Sequence, residues 1–167
     1  CSNPDGILEN CTNIGNISVA SSALNIYVAG ICARASAGTI TGCSNSGTIT
    51  ISTVRTSGDP CKFIYLGGLF GTIDTGSDAS LKFNGCTNAG DITSASNVKQ
   101  LIIGGIAAQL STDKAEFTDA TNAGNITTTA ALRNLYCGGL FGRITKAQTL
   151  TLNGEPCTGA INIGATE

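Results

Sequence analysis

Few side chains in this chain are able to do chemistry, and their spacing is what makes them informative. Three tyrosines, Tyr27, Tyr65 and Tyr136, each stand three residues before the second position of a recurring glycine pair, with Ile102 in the equivalent place of a fourth copy. Facing outward, a column of such rings, about 10 Å apart if successive copies lie two strands apart, would stack on sugars; facing inward, the rings are core. Alternation puts Tyr65, Gly67 and Leu69 on one face and Leu66, Gly68 and Phe70 on the other. Both faces are apolar, so the period leaves the choice open, and exchange with Ile102 favours the core. Carboxylates offer less. A polysaccharide-active enzyme needs acids clustered on one face, and the closest groupings are Asp74 with Asp78, and Asp113 with Glu116 and Asp119. These sit at turn-like positions, do not recur in phase, and read as solvated loop charges. The second group lacks the glycine-rich pattern of a calcium repeat. Histidine is absent, which removes the commonest general base and a common metal ligand. No catalytic residue, metal site or cofactor is expected.

The elements that position these residues come from a repeat. The pattern Cys/Ala-Ser/Thr-Asn-x-Gly-x-Ile occurs from Cys11, Cys43, Cys86 and Ala120. Between copies lies a bend motif: Tyr27-Val28-Ala29-Gly30-Ile31, Tyr65-Leu66-Gly67-Gly68-Leu69, Ile102-Ile103-Gly104-Gly105-Ile106 and Tyr136-Cys137-Gly138-Gly139-Leu140. Two alternating motifs mark a stacked architecture. The first motif recurs after 32, 43 and 34 residues and the glycine pair after 38, 37 and 34. A repeat of about 36 residues reads as two rungs of about 18 each, too short for a βαβ unit and suited to a β-solenoid. Residues 53–60 are an insertion expected to project from one side, and Arg55 and Asp59 on it join the tyrosines as candidate binding residues. Repeats are placed at 7–42, 43–82, 83–116 and 117–153, with a degenerate rung at 154–167, all in one domain spanning 1–167.

Strand character follows from alternation: Ile49 and Ile51 point inward, and Thr48, Thr50 and Ser52 outward. The row Asn16, Ser18, Thr48, Thr50, Asp91, Thr93, Asn125 and Thr127 is too mixed for an ice-matching array and fits an ordinary solvated strand face. Ile106–Phe117 contains good helix formers, yet its aligned copies are β-branched and glycine-rich, so strand and turn are assigned. Asn13, Asn45, Asn88 and Asn122 are expected to line up at a corner, their amides bonding backbone of adjacent coils. The glycine two residues later is expected to supply a positive φ.

Eight cysteines suggest a disulfide framework until their repeat positions are compared. Cys11, Cys43 and Cys86 share one position with Ala120, marking them as small buried fillers. Cys137 aligns with Val28, Leu66 and Ile103, and Cys32 with Phe70, Ala107 and Phe141, so these behave as hydrophobes. With two rungs per repeat, equivalent cysteines would lie about 9 to 10 Å apart, beyond disulfide reach. Free thiols are expected.

Bulk properties narrow the partners. Of 167 residues, 41% are hydrophobic and 12% charged, the reverse of a disordered chain. Nine Lys and Arg against eleven Asp and Glu give a net charge of -2 with no basic cluster, which argues against nucleic acid. The longest apolar run, Leu101 to Ala108, is far short of the ~20 residues a spanning helix needs. No signal peptide is visible, so an exported chain would be in its mature form. Cys1-Ser2-Asn3-Pro4-Asp5 looks like the start of a processed bacterial lipoprotein with lipid on Cys1; it reads equally as a fragment boundary cutting a copy of the motif.

Gly67-Gly68-Leu69-Phe70-Gly71, Gly138-Gly139-Leu140-Phe141-Gly142 and Glu9-Asn10-Cys11-Thr12-Asn13-Ile14-Gly15-Asn16-Ile17 resemble the GLUG-type and related repeats of bacterial cell-surface proteins. The resemblance spans roughly residues 7 to 163. It weakens at Ala29-Gly30-Ile31-Cys32-Ala33, at Ala107-Ala108 and at Cys157-Thr158-Gly159-Ala160-Ile161. It implies a secreted or surface-anchored module. The expectation is an all-β chain, a single parallel β-solenoid of about eight or nine rungs, about 40 Å long. Its function is expected to be non-catalytic adhesion or recognition of a glycan or protein at the outer surface of a bacterial cell, membrane contact being limited to a lipid on Cys1. The alternative is a spacer or assembly subunit associating end to end or face to face, because open solenoid ends expose unpaired strand edges.

Overall fold

A computed structural model describes residues 6–36, 38–53, 61–129, 132–146, 149–154 and 157–164, with side chains at 61, 76–79, 132 and 133 outside that description. Twenty strands and no helix occur among the described residues. Every strand pairing is parallel, and four sheets run along one axis to form a β-solenoid. The helix-forming stretch is the strand Ala107–Thr118, held between Phe70–Asn84 and the strands Phe141–Thr145 and Thr149–Asn153. Neighbouring copies override its local propensity.

The rung is twice the expected size. Ile17 pairs with Ile49, Ile49 with Ile92, Ile92 with Ile126 and Ile126 with Ile161. Each coil therefore consumes a whole repeat, and the solenoid has about four turns rather than eight or nine rungs. At about 4.8 Å per coil its height is about 20 Å, half the length expected. The cause is visible in the pairing: the asparagine motif stacks only on asparagine motifs, and the tyrosine strand only on tyrosine strands.

A coil of this length is not one ring around one core. Its apolar side chains form two clusters that share no residue. One gathers Ile40, Leu69, Phe70, Ile73, Phe83, Ile106, Leu110 and Phe117. The other gathers Ile26, Ile49, Ile51, Ile64, Leu66, Ile92, Leu101, Ile103 and Ile126. The asparagines meet the bend glycines at a waist. A Cβ at Gly30, Gly68 or Gly105 would collide with the side chain of Asn45, Asn88 or Asn122 respectively. Only glycine lets the bend close on the amide column.

Those amides form a ladder. Asn13 Nδ2 donates to Asn45 Oδ1 at 2.6 Å, Asn45 to Asn88 at 2.8 Å and Asn88 to Asn122 at 2.7 Å. The same nitrogens donate to the carbonyls of Gly15, Gly47, Gly90 and Gly124 at 2.8–2.9 Å. The column expected at a corner is present, but between coils the amides bond one another rather than backbone, and the last three are about 1% exposed. At the C-terminal end the column stops at Cys157. Thr158 N donates to Asn122 O at 3.0 Å, and Ile161 pairs with Ile126, so Cys157 stands in the asparagine's place rather than in that of the motif cysteine.

The motif glycines serve a different purpose from the one expected. None of Gly15, Gly47, Gly90 and Gly124 has a positive φ; a Cβ on Gly47, Gly90 or Gly124 would strike the carbonyl of the same glycine one coil earlier. Among the described residues a positive φ occurs instead at Asn10, Gly42, Gly85, Asp119, Lys146 and Gly154, with φ of 54°, 62°, 60°, 52°, 64° and 128°. The first four immediately precede the cysteine position of their coils. Asn, Asp and Gly are the residues that enter this region at least cost.

One core column breaks the apolar rule. Val19, Ile51, Ser94, Thr128 and Ile163 lie in register. The hydroxyls of Ser94 and Thr128 are buried without a hydrogen-bond partner among the described residues.

Candidate functional site

The bend that closes on the asparagines creates a re-entrant corner outside. The tyrosine strands Asn25–Ala29, Cys61–Gly67, Val98–Gly104 and Leu132–Gly138 form one wall. The strands Cys32–Ala35, Phe70–Asn84, Ala107–Thr118 and Phe141–Thr145 form the other. A Cβ on Gly67, Gly104 or Gly138 would meet the carbonyl of Phe70, Ala107 or Phe141, so the two walls approach as closely as bare backbone allows.

On the first wall Ile26, Val28, Ile64 and Leu66 turn into the core, which leaves Tyr27, Tyr65, Ile102 and Tyr136 aligned on the outer side. Tyr27 and Tyr65 are half-buried and Tyr136 is 39% exposed. The core placement favoured by the Ile102 exchange is thus overturned: Ile102 is buried because it lies within a corner, not because the column points inward. Ring spacing also differs from the 10 Å expected. Tyr27 and Tyr65 occupy adjacent strands with centroids 4.6 Å apart and planes within 4°. They stack on one another, so the faces between them are closed to a sugar.

The facing wall carries a row that the motif reading missed. Arg34, Thr72, Gln109 and Arg143 are in register, each seven residues after Tyr27, Tyr65, Ile102 or Tyr136. That constant interval was the available signal. The Arg34 guanidinium lies 5.2 Å from the Tyr27 ring centroid and that of Arg143 5.3 Å from Tyr136. Cation–π contact holds each head in place at a modest gain, about 0.5–1 kcal/mol where exposed. Burial raises the Tyr65 phenol above its ordinary pKa, with Tyr27 adding to the effect, while Arg143 and Arg34 pull it back down. Both cations therefore act on the same ring, midway along the corner.

The other candidates fall elsewhere. Arg55, Asp59 and Cys1 lie outside the described residues. Asp74, Glu116 and Asp119 are not buried, nor is Asp113; the described residues contain no group of three His, Cys, Asp or Glu side chains placed to hold a metal ion. Cys11, Cys43 and Cys86 fill one core as expected, and the alignments of Cys32 and Cys137 with hydrophobes hold in the register. All six cysteines described with their side chains are free thiols. The reason is not distance. These copies sit on adjacent coils, at about the 4.8 Å of neighbouring chains, yet Cys43 and Cys86 donate to backbone carbonyls at 3.4–3.9 Å. Burial pushes the Cys86 thiol up to about 12 and that of Cys137 up to about 11, and it raises Cys43 as well.

No family model, curated protein or solved structure matches the chain.

Proposed function

We propose that this chain is a non-catalytic recognition module of a bacterial cell surface, acting outside the cell, that engages a glycan or protein through the outer corner of the bend. The observation that carries this reading is the pair of facing rows, Tyr27/Tyr65/Tyr136 against Arg34/Thr72/Gln109/Arg143. Aromatic and arginine side chains held in fixed positions are what recognition surfaces favour. The resemblance to GLUG-type surface repeats supports the location, with Cys1 as the candidate lipid attachment point. The test is a panel of neutral and acidic polysaccharides and surface proteins presented to the immobilised chain. Saturable binding to one of them, weakened by Tyr136→Ser and without release of new reducing ends, is the expected result. A blank panel, or turnover of a polysaccharide, would overturn it.

A second reading is favoured by the far end of the solenoid. Core-column residues of the last described coil are exposed: Leu152, Ile161 and Ile163 are 53%, 43% and 59% exposed. Beside them is a hollow lined by Phe117, Ala120, Leu140, Leu152 and Cys157. Open parallel edges beside apolar side chains invite another coil. On this reading the chain is an assembly unit stacking its first coil on the last coil of another copy, and sedimentation would show species that lengthen with concentration.

A further inference from the structure

Asparagine followed directly by glycine occurs twice in the chain, at Asn84-Gly85 and Asn153-Gly154. Each asparagine ends a strand of the same sheet, and the two share one register column: Asn84 pairs with Thr118, and Thr118 with Asn153. Both asparagines are exposed. In such a dipeptide the asparagine side chain is open to attack by the backbone that follows it, because glycine brings no Cβ to screen its amide nitrogen.

The two sites differ in what holds that nitrogen. Along the column formed by the next residue of each coil, every amide donates to a carbonyl one coil on. Asn10 N reaches Thr41 O at 2.9 Å, Gly42 N reaches Asn84 O at 2.9 Å, Gly85 N reaches Thr118 O at 2.9 Å and Asp119 N reaches Asn153 O at 2.8 Å. Gly154 N, the fifth of the series, has no acceptor among the described residues. A hydrogen-bonded nitrogen must leave its partner before it can turn on a neighbouring carbon. Gly85 N would have to part from Thr118 O beside a strand, Phe70–Asn84, that is paired on both sides. Gly154 N has no such bond to give up. A Cβ on Gly154 would stand 2.9 Å from Asp119 Oδ1, so any new carboxylate at position 153 arises close to an existing one.

We propose that Asn153-Gly154 is a self-modifying site, at which the folded chain slowly turns Asn153 into aspartate and isoaspartate, while Asn84-Gly85 is protected by its hydrogen bond to the next coil. Gly154 N gives up its proton to solvent and bonds to Asn153 Cγ; the Cγ–Nδ2 bond breaks, and Nδ2 takes up a proton and leaves as ammonia. Water then opens the cyclic imide. Attack at Cγ restores the original backbone with an aspartate side chain; attack at the main-chain carbonyl carbon leaves the backbone running through Cγ, as isoaspartate. Either product sets a second negative charge near Asp119. The isoaspartate also lengthens the backbone by one carbon where Asp119 N meets Asn153 O, beside the hollow lined by Leu152 and Cys157. The strand Thr149–Asn153 therefore loosens as the protein ages.

The test is timed incubation of the whole chain in mildly alkaline buffer, followed by peptide mapping and enzymatic methylation of isoaspartate. Position 153 should convert at least about tenfold faster than position 84 while the fold is intact. In concentrated urea the two positions should convert at similar rates, because the hydrogen bond that distinguishes them is gone. Asn153→Gln should suppress most of the ammonia released by the folded chain, and Asn84→Gln should leave it unchanged. Equal rates at the two positions of the folded chain would overturn the inference. So would a position 153 that stays intact while the urea-unfolded chain converts. A preference for position 153 that persists in urea would belong to the local sequence rather than to the missing hydrogen bond, and would overturn it as well.

Discussion

Asn45 donates its side-chain amide to Asn88 Oδ1 at 2.8 Å, and both residues are about 1% exposed at the waist between two hydrophobic clusters. Each interior amide thus donates to its own coil and to the next while accepting from the one before. Asn88→Ala removes two donors and an acceptor and leaves Asn45 Nδ2 and Asn122 Oδ1 with lost partners. It should cost about 2–3 kcal/mol in a urea titration. Asn13→Ala, at the half-buried end of the ladder, should cost less than about 1 kcal/mol. Equal losses at both positions would count against a cooperative ladder.

The same count gives an opposite sign in the core. Thr128 buries a hydroxyl without a described partner, in a column where other coils place Val19, Ile51 and Ile163. Thr128→Val keeps the shape and removes the unsatisfied group, so it should stabilise by about 1–2 kcal/mol. A raised urea midpoint checks this, and a lowered one would mean the hydroxyl is satisfied.

Two glycines should respond differently to substitution. Gly105→Ala drives a Cβ into the Gly139 carbonyl and the Asn122 side chain and should cost at least about 1–3 kcal/mol. Gly85 has a φ of 60° and nothing within 4 Å of an added Cβ. Its column already holds Asn10 and Asp119, so Gly85→Asn should stay within about 1 kcal/mol of wild type while Gly85→Val loses more. Thermal melts of the three variants would rank them.

Alkaline pH should weaken the fold through Cys86. Its thiol is held protonated up to about 12, against an ordinary value of 9.0, by burial. In the unfolded chain it ionises near 9.0, so the folded state binds the extra proton above that pH. Stability from this group is complete below about pH 9 and declines as pH rises toward about 12. The melting temperature of the wild type should therefore fall more steeply over that interval than that of Cys86→Ala. Parallel slopes would contradict the assignment.

Much of the architecture was legible in the residues. Exchange of Cys11, Cys43 and Cys86 with Ala120 correctly gave a buried column, and the aligned copies correctly gave a strand at Ala107–Thr118. Coil size was misread because the asparagine motif and the bend motif divide the repeat into two similar glycine-bearing halves, which look like equivalent rungs. The direction of Tyr65 was unreadable because a re-entrant corner makes an outer face as apolar as an inner one. Arg34 and Arg143 escaped notice because a partner seven residues away, across a bend, matches neither strand alternation nor a short motif. The left-handed column escaped for a related reason: Asn10, Gly42, Gly85 and Asp119 share a conformation, not a letter.

A figure-of-eight coil also localises change. Cys43 to Gly68 spans 25 residues where the other coils use 19, yet the pairings Asn45 with Asn88 and Gly67 with Ala29 stay in phase. The added length falls between two anchored positions, and pairing is in register at both of them. New sequence can accumulate between such anchors, coil by coil, while the stacking at the anchors stays as it was.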